Sequence, residues 1–234
     1  MGGSSLDSRT NEVAFWYSDY GCLPNMRPIH PCRQAAVVFD MDGVLLHSFE
    51  AWLATCLEAD RRFGRGTLTR EAFLPTFGQG TDADLRVFGW RATREAVDAF
   101  YAAELPRHRD LVQADPDAAG ALDALRALDL RLAVATNTMR PLAEALLAGA
   151  GLLARLDAVA CADEVRAGKP APDVVLLACE RLGVAPAEAR FVGDSSYDHE
   201  AGVRAGVRFV GYRQDGDERV ETLPALVALL EPAR

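Results

Sequence analysis

The chain has 234 residues and a formal charge of −9, with half of its residues hydrophobic and a quarter charged. That composition suits one sizeable core, or a core carrying a smaller insertion, and holds no apolar run near the roughly 20 residues a bilayer span needs. Its acidity speaks against nucleic acid, which asks for a concentrated basic face.

Residues 1–34 mix Gly, Ser, Pro and aromatics with neither helical nor strand period, and no basic stretch leads into an apolar one. They are expected to form a mobile extension, dispensable for activity, with Met26 as an alternative start. Five cysteines (Cys22, Cys32, Cys56, Cys161, Cys179) show neither Cys-x-x-Cys pairing nor histidines at zinc spacing. They are expected as reduced thiols in a cytoplasmic protein.

From residue 35 the pattern changes. Apolar β-rich runs at 36–39, 131–135, 158–160, 190–192 and 208–211 alternate with helical stretches such as 141–150, 172–182 and 224–230. The expected fold class is α/β, a Rossmann-like parallel sheet with helices on both faces. Between residues 49 and 115 the rhythm breaks into helical patterns without a strand, so a small α-helical cap domain over 49–115 is expected to interrupt a core built from 35–48 and 116–234. In open parallel sheets ligands bind beyond the carboxyl ends of the strands, which makes the polar residues there the candidates for chemistry.

Four such clusters stand out. The first run ends in Asp40-Met41-Asp42-Gly43, two carboxylates two positions apart. A divalent cation can take the Asp40 carboxylate with the Asp42 main-chain carbonyl, leaving the Asp42 side chain for proton transfer. The motif alone also fits a turn that merely ends a strand. The second cluster, Thr136-Asn137-Thr138, offers neutral donors and equally suits a helix cap. The third holds Lys169, the only lysine in a chain that otherwise uses arginine; between Gly168 and Pro170 it reads as a compact point charge placed for a purpose. The fourth, Gly193-Asp194-Ser195-Ser196-Tyr197-Asp198, puts two acids where one turn brings both to one side of a hard cation.

In this order the clusters resemble the haloacid dehalogenase (HAD) superfamily, in particular its phosphatases and phosphoglucomutase-like members with a helical cap. The resemblance covers residues 35 to about 212. It implies a Mg2+-dependent phosphatase acting on a small phosphorylated metabolite. Asp40 would be the nucleophile, Asp42 the acid and base, and Thr136, Asn137 and Lys169 the phosphate contacts. Magnesium would lie on Asp40, Asp42 and Asp194, with Asp198 supporting the metal. Neither nucleic acid nor membrane is an expected partner. Val44 and His47 depart from the residues common in that family, Thr and Asp, without removing a group the chemistry needs. His47 falls where the chain leaves for the cap. A phosphosugar mutase and a catalytically silent binding protein are the alternatives; a dehalogenase fits less well because it needs no metal and lacks the Asp42 equivalent. Cap-loop candidates for the leaving group are Gln79, Thr81 and Arg86.

Overall fold

The structure is a computed structural model and describes residues 35–231. The extension expected over 1–34, with Cys22 and Cys32, lies outside the described residues.

In chain order, β1 (Ala36–Phe39) and the two-residue β2 (Leu46–His47) precede helices α1 (Phe49–Phe63), α2 (Arg70–Phe73), α3 (Thr81–Phe88) and α4 (Arg94–Glu104). The chain returns through β3 (Gln113–Ala114) and α5 (Ala118–Ala127). Strand and helix then alternate: β4 (Arg131–Thr136), α6 (Arg140–Gly149), β5 (Ala158–Cys161), α7 (Asp173–Leu182), β6 (Ala189–Gly193), α8 (Ser196–Ala205), β7 (Arg208–Tyr212), β8 (Glu218–Val220) and α9 (Leu223–Leu230).

Six strands form one sheet in the order β5-β4-β1-β6-β7-β8, every pairing parallel. The four residues of β1 are all fully buried, and their two-residue period divides them between two cores. Val37 and Phe39 join Leu132 and Val134 on one face; Ala36 and Val38 join Ala133 and Ala135 on the other. Connections run outward from β1 to both sides, so its carboxyl end is the topological switch point. The fold is therefore the α/β class that the alternation of strands and helices led us to expect.

Strand β8 was not foreseen. Its three residues, Glu-Arg-Val, lie at the sheet edge with only Val220 buried, so they carry no apolar run to read.

Helices α1 to α4 surround a separate apolar cluster that includes Leu53, Cys56, Phe73, Trp90 and Tyr101. Where the chain leaves and re-enters the sheet region, β2 and β3 pair antiparallel, His47 opposite Gln113. There His47 Nε2 lies 3.3 Å from Asp115 Oδ2, which also accepts from the Tyr212 hydroxyl at 3.2 Å. The three described cysteines, all buried, are unpaired. Among the described residues no helix is long and apolar enough to cross a membrane.

Candidate active site

Asp40 is the first residue beyond β1, and its N–H still donates to Val192 O at 2.8 Å, which holds it against the end of β6. The chain then turns back on itself, Gly43 N–H to Leu46 O and Leu46 N–H to Met41 O. Gly43 sits at φ +93°, and a Cβ there would fall 2.0 Å from Asp194 Oδ2. Only glycine meets both the backbone angle and the lack of room, and its use lets the loop after β1 press against the acid that ends β6.

Lys169 joins the clusters. Its Nζ donates to Asp40 Oδ1 and to Asp198 Oδ1, both at 2.6 Å. All three residues are no more than 4% exposed. Burial opposes the lysine charge, but Asp198 and Asp40 more than offset it and raise its pKa above the ordinary value. The second oxygen of Asp198 accepts the N–H and hydroxyl of Ser195, while Ser195 Oγ accepts from Asp198 N–H. Asp198 is thus at once the capping-box acid of α8 and a fixed partner for Lys169.

Carboxylate oxygens of Asp40, Asp194 and Asp198 lie within 4.8 Å of one another. One lysine cannot balance three acids, two of them buried and Asp194 half-buried. Burial first, then the neighbouring acids, push Asp40 well above the carboxylate range and Asp194 up to about 7. An all-oxygen set with surplus negative charge is the donor chemistry of a hard divalent cation, so the residues present fit one.

The Asp42 carboxylate takes no part in that cluster. It accepts from Ser48 Oγ at 2.5 Å and Trp52 Nε1 at 3.2 Å on one oxygen, and from Thr138 Oγ1 at 2.8 Å on the other. Burial raises its pKa, and these three donors work against the rise. Residues two apart in extended backbone would share a face; the division comes instead from the turn that follows β1, where Gly43 at φ +93° and its N–H bond to Leu46 O take the chain out of the strand direction.

Thr136 Oγ1 accepts from Thr138 N–H and, among the described residues, donates to nothing. Asn137 is more engaged than a free phosphate donor would be. Its Oδ1 accepts Lys169 N–H at 2.7 Å, and its Nδ2 donates to Lys169 O and to Gly78 O, both at 3.0 Å. It therefore positions the lysine loop and ties the sheet edge to the α2–α3 connection.

A cleft bounded by both parts holds about 560 Å³ not filled by protein atoms, some of it open to solvent. The carboxyl edge of the sheet contributes Asp40, Asp42, Thr136, Asn137 and Lys169 to its lining, and the helical segment contributes Trp52, Phe73, Phe77, Gln79, Thr81, Asp84 and Tyr101. Arg86 is exposed and outside that lining. Sequence reasoning missed Ser48 and Trp52 as partners of Asp42, and Asp84 altogether. Ser48 lies six residues beyond Asp42 and gives a weak signal; Trp52 and Asp84 reach the cleft only through helix packing.

The family model of the haloacid dehalogenase-like hydrolases matches residues 37–212. Among curated proteins, the chain is 31% identical over 179 residues to the pyrophosphatase PpaX of Bacillus velezensis, covering 76% of this chain and 83% of that protein. It is also 31% identical over 193 residues to the N-acetylmuramic acid 6-phosphate phosphatase of Pseudomonas putida, with 77% and 83% covered. Among solved structures, a HAD-superfamily hydrolase of subfamily IA from Geobacter sulfurreducens superposes with a TM-score of 0.63 at 30% identity, over 84% of this chain and 96% of that one. The chain belongs to the haloacid dehalogenase-like hydrolase family.

Proposed function

We propose that the protein is a Mg2+-dependent phosphatase that hydrolyses a small phosphate monoester through a phospho-aspartyl intermediate on Asp40. The observation that carries this reading is the division of labour between Asp40 and Asp42. One carboxylate is turned to Lys169, Asp194 and Asp198; the other is held apart by Ser48, Trp52 and Thr138 on the wall of the same cleft.

An Asp40 oxygen attacks phosphorus and the bond to the leaving oxygen breaks, with Asp42 supplying the proton to the departing alkoxide. Asp42, now ionised, takes a proton from water; that water attacks phosphorus, inorganic phosphate leaves, and the Asp40 carboxylate is restored. Lys169 and the Thr136 hydroxyl contact the phosphoryl oxygens, and Asn137 fixes Lys169 in place besides offering a contact of its own. Magnesium would be held by Asp40, Asp194 and the main-chain carbonyl of Asp42, with Asp198 supporting it; it supplies positive charge for the phosphoryl oxygens. The segment 49–115 serves as the cap that covers the leaving group.

The names of the two curated relatives, a pyrophosphatase and a sugar-acid phosphatase, support phosphoryl transfer to water. A phosphosugar mutase must grip a second phosphate, and among the described residues Lys169 is the only cationic side chain that lines the cleft. The substrate we expect is a small cytoplasmic metabolite. The test is phosphate release from a panel of small phosphate monoesters by the full chain, with Mg2+ and with chelator, beside Asp40→Asn. Release that needs both Mg2+ and Asp40 is the expected result. Equal release by Asp40→Asn would overturn Asp40 as the nucleophile, and no release from a folded protein with any ester would overturn the reading in favour of a silent binding protein.

A further inference from the structure

We infer that the alcohol released at this site carries a positively charged amine, and that Asp84 is the side chain that selects it. The inference rests on the phosphatase reading and names its substrate class.

Asp84 is 6% exposed yet lines the cleft. It lies in α3, and two neutral donors hold it, Gln79 Nε2 on one oxygen and the Tyr101 hydroxyl on the other, each at 2.8 Å. A carboxylate accepts about four hydrogen bonds, so capacity remains on both oxygens. Among the described residues no cation pairs with it. Arg94, the nearby arginine, is engaged with Asp82 and Asp98. A buried acid without a counter-ion is a standing penalty unless something supplies the charge. Burial pushes the Asp84 carboxyl up to about 7, with Gln79 and Tyr101 drawing it down and Asp98 adding to the rise. A bound ammonium would hold it ionised.

The walls around Asp84 agree. Trp52, Phe73, Phe77 and Tyr101 line the same cleft, Tyr101 in direct contact with Asp84 and set edge to face with Trp52, 5.4 Å between centroids. Aromatic faces around a carboxylate attract an organic cation through the ring quadrupole and through direct charge. They offer nothing to an anion. Lys169, the one cation lining the cleft among the described residues, is already engaged by Asp40 and Asp198. A leaving group bearing a carboxylate or second phosphate would meet Asp84 and no positive side chain among the described residues.

The experiment compares three esters of like size on the full chain with Mg2+: aminoethyl, hydroxyethyl and carboxymethyl phosphate. The expected order of kcat/KM is ammonium above hydroxyl above carboxylate, with the first step at least about tenfold, the worth of one desolvated charge-assisted contact. In Asp84→Asn, which keeps the shape of the side chain, the ammonium-to-hydroxyl ratio should fall toward unity, mainly through KM. A preference for the carboxylate ester, or an unchanged ratio in a folded Asp84→Asn protein, overturns the inference. Binding to Asp40→Asn, measured by calorimetry, separates this from failure of the catalytic reading and needs neither turnover nor a folded Asp84 variant. Aminoethyl phosphate should bind more tightly than carboxymethyl phosphate there; equal or reversed affinities sink the inference even if the enzyme turns over other esters.

Discussion

The carboxyl edge of the sheet and helices α1 to α4 both deliver buried acids to one cleft, but they hold them differently. At the sheet edge Asp40 and Asp198 share the charge of Lys169. On the helical side Asp84 meets only an amide and a phenol. The difference teaches where charge is fixed in advance and where it is awaited. A lysine that bridges two acids keeps them aligned before any substrate arrives, as preorganised electrostatics requires; an acid held by neutral donors stays responsive to what enters the cleft.

Removing the fixed side should have the largest effect. Asp42→Asn keeps acceptor and shape but cannot cycle a proton, so kcat should fall about 100- to 10,000-fold with the fold intact, measured by steady-state kinetics beside circular dichroism. Lys169→Met leaves Asp40 and Asp198 buried without a counter-ion, which should destabilise the protein by about 3–5 kcal/mol in denaturant unfolding. A loss below about 1 kcal/mol would mean that the acids find another partner.

The responsive side should show a smaller effect, visible in pH dependence. Asp84 rises from an ordinary 3.8 to about 7 in the fold, so between those values the native state binds more protons than the unfolded chain. Stability then falls as pH rises from about 4 to 7. Asp84→Asn removes that contribution and should be the more stable protein above pH ~7, with the difference vanishing below pH ~4. Because Asp40 and Asp194 are raised as well, the difference between variant and parent, followed by thermal unfolding across pH, is the informative quantity. An identical slope in both would show that Asp84 does not titrate in this range.

The same contrast explains what could be read from the sequence. The strands of the sheet interior close on short apolar runs, and Asp40, Thr136 and Asp194 lie at or just past the strand ends, so the fold class and the sheet's side of the cleft were legible from local pattern. Lys169 was legible because no other lysine competes with it. The partners of Asp42 were not: Thr138 and Trp52 come from separate elements, and only their packing brings them to one carboxylate. Asp82 and Asp84 look alike in the run Thr81-Asp82-Ala83-Asp84, yet one is exposed and the other buried. Which face of α3 turns inward depends on how α1 and α4 meet it, and a helical period cannot state that.

The central claim is that Asp40 carries the phosphoryl group. The direct measurement is intact and peptide mass spectrometry after acid quench of the full chain mixed with Mg2+ and its best-turned-over ester in the first turnover. The account predicts an added phosphoryl group on the peptide containing Asp40, sensitive to hydroxylamine and absent from Asp40→Asn. Turnover at full rate with no acyl phosphate on that peptide, or with the label on another residue, would contradict it.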